Sequence, residues 1–172
     1  MKDAVPHAKR VAILVNPADL AFGSQVKEVE TAARSLAIRI QRVEAHRPEE
    51  FEKAFTAMTR EGAEALLVAN DTTFLVNRAR VADLALKSRL PTMNYYREMV
   101  EAGGFMAYAV NMAGFTPRAA VYVDKILKGA NPADLPVEQP TKFELVINLK
   151  TAKQIGLTIP QSLLYRADRV IK

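Results

Sequence analysis

The chain has 172 residues, a length that fits one domain of ordinary size with a real hydrophobic core. Hydrophobic residues make up 49% of it and charged residues 25%, which excludes disordered and fibrous classes. The net charge of +5 is spread along the chain without a basic run interleaved with aromatics, so a solvated surface is favoured over a nucleic-acid partner. Cysteine is absent, which excludes disulfides, thiol catalysis and thiolate metal sites.

The N-terminus does not match an export signal, because Asp3, Pro6, Lys9 and Arg10 interrupt the apolar stretch that a signal peptide needs. No apolar run approaches the roughly 18 residues that span a bilayer. Expressed as it stands, the chain is expected to stay in the cytoplasm.

Short apolar runs predict the strands of a sheet. Residues 11–15 and 65–69 are continuous apolar runs, the pattern of neighbouring parallel strands buried on both faces. Residues 38–43 alternate imperfectly, which indicates a strand near an edge. Two further short strands are predicted at 90–95 and 104–110.

Apolar residues at spacings of three and four predict helices between these strands. Ser24 is a good N-cap for the first helix, and Pro48 starts the second by its fixed φ. A polar loop at 70–73 opens another helix, residues 97–102 form a short one, and Thr116 precedes a strongly patterned one. The core-facing positions of the longer helices are Val26, Val29, Ala33 and Leu36, then Phe51, Ala54, Phe55 and Met58, then Leu75, Ala79, Ala82 and Leu86, then Ala120, Val123 and Leu127.

The last third of the chain begins where Gly129 closes that patterned helix. A linker stiffened by Pro132, Pro136 and Pro140 follows, which suits a crossing between two bodies. A β-rich run at 143–147 and a helix at 149–155 closed by Gly156 come next. A final helix is predicted at 160–171, with Leu163, Leu164, Ala167 and Val170 on its apolar face.

The alternation of strands and helices with short loops predicts an α/β fold built on a doubly wound, mostly parallel sheet of flavodoxin-like topology. We divide the chain into an α/β lobe at 8–112, a crossover helix with a proline-rich linker at 113–142, and a return strand with C-terminal helices at 143–172.

Polar side chains follow the predicted strands at their carboxyl ends, where ligands bind in such sheets. The candidate ligand-binding residues are Asn16, Ser24, Asn70, Asp71, Thr72 and Tyr95. Hydroxyls and free N–H groups there could hold a carboxylate, an aspartate could hold an ammonium group, and a tyrosine ring could pack on an apolar body. Together they suit a zwitterionic amino acid.

Each candidate also has a structural interpretation. Ser24 fits a plain N-cap, and Asp71 fits either a ligand group or the N-cap of the next helix. Tyr95 and Tyr96 are adjacent and cannot both face the core, so one of them is expected to line or cap the cleft.

Enzyme and cofactor motifs are missing from the sequence: it contains no GxSxG elbow, no GxxxxGK[ST] loop, no GxGxxG and no HExxH. The two histidines, His7 and His46, offer no metal-ligand spacing. The sequence therefore indicates a binding module with no metal and no cofactor, rather than an enzyme.

Three stretches carry a resemblance to a known family: KILKGA at 125–130, PADLPVEQPTKFELVINLKTAK at 132–153 and IGLTIP at 155–160, with PQSLLYRADRVI following in register. The chain resembles the ABC-transporter substrate-binding proteins of the tryptophan/tyrosine type, which have a type 1 periplasmic-binding-protein fold. Asn16 and Pro17 match the family pattern, as does Asp71, whereas the loop at 19–24 differs in wording.

The resemblance implies an extracytoplasmic receptor that closes two lobes over a small molecule, often an amino acid, and delivers it to an ABC permease. It also implies that Met1 lies in the interior of the family's chain, so that residues 8–112 are the second lobe and the first lobe is missing. We therefore expect a truncated protein, inactive alone, whose exposed helix at 116–128 forms a homodimer contact. The alternative is a stand-alone cytosolic α/β interaction or regulatory domain.

Overall fold

The computed structural model describes residues 1–111, 115–139 and 142–172. They form a seven-stranded sheet in the order β2-β1-β3-β4-β5-β6-β7, with helices on both faces. Every neighbouring pair of strands is parallel except β5 and β6, which are antiparallel. The strands are β1 (Arg10–Val15), β2 (Arg39–Glu44), β3 (Ala65–Val68), β4 (Thr92–Asn94), β5 (Met106–Val110), β6 (Phe143–Asn148) and β7 (Arg169–Ile171).

The two most apolar strands lie side by side at the centre of the parallel part, as predicted. β1 pairs in parallel with β3, with Val11 opposite Ala65 and Leu14 opposite Val68. Five of the six β1 residues are buried because helices cover both faces. β2 lies at the edge of the sheet, which also agrees with its imperfect alternation.

Eight helices surround this sheet in the described parts of the chain. They are α1 (Phe22–Ser35), α2 (Phe51–Arg60), α3 (Thr72–Val76), α4 (Arg78–Lys87), α5 (Arg97–Glu101), α6 (Phe115–Leu127), α7 (Leu149–Gln154) and α8 (Gln161–Leu164). The apolar spacing of α2 gives its core face as predicted, because Phe51, Ala54, Phe55 and Met58 are all buried. Pro48 opens a 3-10 turn, Pro48–Glu50, directly before α2.

Two helix predictions near the N-terminal half need correction. Helix α1 begins at Phe22, so Ser24 lies inside its first turn and is not the N-cap. The helix predicted after β3 divides into α3 and α4 at Asn77, whose side-chain Nδ2 donates to the carbonyl oxygen of Thr73 at 2.8 Å. A short polar side chain that bonds to the backbone competes with helix propagation, which accounts for the break.

The predicted final helix at 160–171 is wrong beyond Leu164. The chain leaves α8 and forms β7, which pairs in parallel with β6. Asp168 starts this pairing: its Oδ2 accepts from the Leu145 N–H at 2.7 Å, and its own N–H donates to the Leu145 carbonyl at 2.9 Å. The free edge of β6 thus recruits the β-branched residues Val170 and Ile171 into the sheet.

The N-terminal segment is part of the core of the C-terminal half. Ala4, Val5 and Ala8 are buried against a cluster that includes Phe105 and Ile147. The same cluster contains residues of α7 and α8. Residues 1–8 therefore cover the sheet beside the antiparallel strand pair.

Helix α6 keeps most of its surface exposed. Its apolar face includes Ala120, with Val123 at 55% and Leu127 at 81% exposed, which agrees with the expectation that this face lies uncovered. The following segment folds back along another face, where the Tyr122 hydroxyl donates to the Pro136 carbonyl at 2.6 Å. Arg118 also forms an ion pair with Glu138.

The predicted division into three segments remains a prediction. Residues 143–148 join the same sheet as β1 to β5. The boundary predicted at 112/113 and the linker residue Pro140 lie outside the described residues. Among the residues that are described, no helix is long and apolar enough to cross a membrane.

Candidate functional site

The strand order reverses between β1 and β3, and a depression of about 490 Å³ lies at the carboxyl ends of these strands. From β1 the chain first adds β2 on one side and then β3 on the other, so the loops after β1 and β3 diverge and leave a crevice. We call this depression the switch-point cleft. It is lined by Asn16, Ala18, Asp19, Leu20, Ala21, Asn70, Asp71, Thr72 and Tyr96.

Asn16 and Asp71 join the two loops at the floor of the cleft. Asn16 is buried, and its Nδ2 donates to Asp71 Oδ2 at 3.1 Å. Asn16 Oδ1 accepts from the Ala18 N–H at 3.0 Å, so both ends of this amide are engaged. The buried amide therefore holds the carboxylate of Asp71 in place beside the loop after β1.

Asp71 has the capping role that the sequence left open for it, and it also lines the cleft. Its Oδ1 accepts from the Thr73 N–H at 2.7 Å, which makes it the N-cap of α3. Its Oδ2 faces Asn16, and the residue lines the cleft. Each carboxylate oxygen keeps lone pairs beyond these contacts, so the capping role does not exclude a ligand contact.

Asp19 and Gln25 form a second link between the same loops. Asp19 Oδ1 accepts from the Ala21 N–H at 2.9 Å, and Gln25 Nε2 donates to Asp19 Oδ2 at 3.2 Å. Gln25 also bonds to both backbone groups of Asn70. Gln25 is absent from the residues predicted for the site. The only sequence signal for it was its position in the first turn or so of the helix that follows the predicted ligand loop.

Tyr96, rather than Tyr95, is the tyrosine of the cleft. Its hydroxyl donates to Asn70 Oδ1 at 2.5 Å. Burial raises the pKa of the Tyr96 phenol, and the nearby Tyr95 hydroxyl and the Asp71 carboxylate raise this pKa further. The phenol is therefore a neutral donor at physiological pH.

Tyr95 and Ser24 lie outside the residues that line the cleft. Tyr95 is 45% exposed, and its ring meets the Tyr96 ring edge-on, with centroids 5.1 Å apart. The exposed Ser24 hydroxyl donates to the Ala21 carbonyl at 2.9 Å. The structure thus brings Asn16, Asn70, Asp71 and Thr72 together and places the other two candidates outside.

Asn94, at the end of β4, is a structural residue. It is buried, and its Nδ2 donates to Thr92 Oγ1 at 2.9 Å and to the Met106 carbonyl at 3.0 Å. The Gly104 Cα packs so closely that an added Cβ would lie 2.7 Å from Asn94 Nδ2 and 2.8 Å from the Met99 carbonyl oxygen. These contacts hold β4 beside β5.

The charged side chains that line the cleft are acidic. Two carboxylates line it, on Asp19 and Asp71, and no lysine or arginine of the described part of the chain does. Within the described ranges, no three side chains of His, Cys, Asp or Glu come together as metal ligands would. The cleft can accept hydrogen bonds from a cationic group, and Tyr96 is the aromatic residue among those that line it.

Comparisons with known proteins agree with this fold. The structure is similar to the ABC domain in complex with L-Trp from Streptococcus pneumoniae, with 28% identity, a TM-score of 0.88, and coverage of 99% of this chain and 59% of that one. A conserved domain protein from Vibrio cholerae has 24% identity, a TM-score of 0.90, and coverage of 98% and 57%. A substrate-binding protein with adhesive properties from Clostridium difficile, in its ligand-free, open form, has 18% identity, a TM-score of 0.77, and coverage of 99% and 57%.

The chain therefore spans less than two thirds of the length of these solved relatives. None of the curated protein sequences matches it. A family model described as "ABC transporter substrate binding protein" matches residues 1–171, nearly the whole chain. The chain belongs to the ABC transporter substrate-binding protein family.

Proposed function

We propose that this chain supplies one wall of a solute-binding cleft for ABC-type uptake, and that its ligand is an amino acid or a closely related amine. The observation that carries the proposal is the convergence of Asn16, Asn70, Asp71 and Tyr96 at the switch-point cleft. The complex of the Streptococcus pneumoniae relative with L-Trp supports an amino-acid ligand. The proposed role is binding without chemical conversion.

The residues of the cleft can contact both the ammonium group and the apolar body of such a ligand. The carboxylates of Asp19 and Asp71 can accept from an ammonium group; Gln25 keeps Asp19 in position, and Asn16 keeps Asp71 in position. Leu20 is fully exposed at the rim and can contact an apolar body, as can the ring of Tyr96. The hydroxyl groups of Thr72 and Tyr96 can form hydrogen bonds with other polar groups of the ligand.

One wall alone buries only part of a small ligand, whereas affinity depends on burying most of its surface. We propose that the second wall corresponds to the part of the longer relatives that has no counterpart here. In that arrangement residues 8–112 form the second lobe, and 113–142 cross toward the first. An ABC permease is the proposed partner and the extracytoplasmic side of the membrane the proposed location.

The exposed face of α6 supports a further proposed property, self-association of two copies. Val123 and Leu127 lie on one side of this helix and are largely exposed. Apolar residues that stay exposed together favour contact with another surface. A second copy of the helix would cover them.

Amide NMR spectra of the chain, recorded with increasing L-tryptophan, test the proposed ligand site. We expect millimolar binding, with the largest shifts at Asn16, Asn70 and Thr72, and loss of these shifts in Asp71→Ala. A fusion to the part of the Streptococcus pneumoniae relative without a counterpart here should bind at least about tenfold more tightly, since a second wall buries more of the ligand. Shifts confined to another surface, or binding unchanged by Asp71→Ala, would contradict the proposal.

A further inference from the structure

We propose that Gln25 is the positioning residue of the switch-point cleft, because its side-chain amide holds the loop after β1 and the loop after β3 together. The inference rests on the proposed function, but it concerns a residue that is not part of the cleft lining. Gln25 therefore acts through the groups that it holds and not by touching the ligand.

The contacts of Gln25 use both ends of its amide. Nε2 donates to Asp19 Oδ2 at 3.2 Å and to the Asn70 carbonyl at 3.2 Å. Oε1 accepts from the Asn70 N–H at 2.9 Å. The side chain is half-buried on α1 and reaches across to the end of β3.

These bonds extend the hydrogen-bonding pattern of β3 by one residue beyond its pairing with β1. The Ala69 N–H still donates to the Leu14 carbonyl at 3.0 Å, so β1 and β3 remain paired up to that residue. At Asn70 the backbone N–H and carbonyl both pair with the amide of Gln25 instead. A side-chain amide carries the same donor and acceptor as a peptide group, which a carboxylate or a thioether does not.

Holding the backbone of Asn70 also holds Tyr96. The side-chain Oδ1 of Asn70 accepts from the Tyr96 hydroxyl at 2.5 Å, which ties the loop after β4 to the same point. Asp19, Asn70 and Tyr96 all line the cleft and all depend on Gln25, directly or through one bond. One residue of α1 thus sets the spacing of three loops.

Gln25→Met tests this inference, with Gln41→Met as its matched control. Gln41 is also half-buried, and its Nε2 donates to the Ala57 carbonyl at 3.2 Å, away from the cleft. The first readout is the pKa of the Tyr96 phenol, measured by NMR with ring-labelled tyrosine and assigned with Tyr96→Phe. We expect the raised pKa of wild type to fall toward the ordinary value in Gln25→Met and to stay raised in Gln41→Met.

The second readout is the affinity for L-tryptophan. Gln25→Met is expected to weaken this affinity about tenfold, which corresponds to the free energy of one hydrogen bond. Gln41→Met is expected to weaken it by less than about twofold. Gln25→Ala removes both donors and the acceptor and adds no charge, so it should change both readouts in the same direction if Gln25→Met does not fold. Equal effects of the variants at positions 25 and 41, or no effect at 25, would overturn the inference.

The two readouts separate this inference from the proposed function. If wild-type protein does not respond to L-tryptophan or to related amines, the proposed ligand is wrong. The titration of Tyr96 still shows whether Gln25 holds the loops. If tryptophan binds and neither Gln25 variant changes the Tyr96 pKa or the affinity, the inference about Gln25 fails alone.

Discussion

Replacing Asp71 with alanine is expected to destabilise the protein through two contacts that can be estimated separately. The lost N-cap bond to the Thr73 N–H costs about 1 kcal/mol. The buried Nδ2 of Asn16 also loses its acceptor, which costs about 1–3 kcal/mol. The free energy of unfolding should therefore fall by about 2–4 kcal/mol, or roughly 4–16 °C in Tm for a chain of this size.

Urea unfolding followed by circular dichroism measures this change, and two variants separate its parts. Asp71→Ser keeps a capping hydroxyl and should lose mainly the contact with Asn16. Asn131→Ala removes a comparable but exposed cap, the bond from the Ala133 N–H at 3.2 Å, and should cost less than about 1 kcal/mol. A loss in Asp71→Ala no larger than that in Asn131→Ala would refute the link between Asp71 and Asn16.

Three other substitutions have clear expected outcomes. Gly104→Ala should cost about 1–3 kcal/mol in urea unfolding, because its Cβ would meet the Met99 carbonyl at 2.8 Å; an unchanged midpoint would show that the backbone shifts freely. Burial raises the pKa of Tyr96 in the folded state, so the stability that its neutral phenol contributes is present below the unfolded-state pKa and is lost as pH rises through the folded-state pKa. The stability of Tyr96→Phe should therefore depend less on pH than that of wild type above about pH 10. Leu127→Glu should shift the protein toward the monomer in sedimentation experiments if α6 forms the dimer contact, whereas a wild-type monomer would contradict that proposal.

The alternation of apolar runs with amphipathic segments was enough to predict the parallel sheet. Residues 11–15 and 65–69 are apolar throughout, which is typical of short parallel strands covered by helices on both faces. Core spacing also identified α2 correctly, since Phe51 to Met58 face a single cluster. These elements can be predicted from local sequence because the spacing of apolar residues within one helix or one strand already shows which positions are buried.

The errors arose where a distant contact decides the local structure. Residues 169–171 become a strand because β6 offers a free edge, which no local pattern shows. The error at Ser24 is local instead: this residue has the chemistry of an N-cap, yet α1 begins two residues earlier, at Phe22.

Tyr95 and Tyr96 could not be distinguished from the sequence, because the choice depends on the position of Asn70 across the cleft. Gln25 was missed for the same reason, since its partners lie 6 and 45 residues away.

The antiparallel pairing of β5 and β6 has a consequence for how the chain can be edited. Val110 lies opposite Phe143, and the Asn111 N–H donates to the Lys142 carbonyl at 3.1 Å, so the chain departs and re-enters at neighbouring positions. A two-residue Asn-Gly turn could close this gap as a β-hairpin in place of residues 112–141. We therefore expect the order of the seven strands to stay the same when the segment between β5 and β6 is replaced.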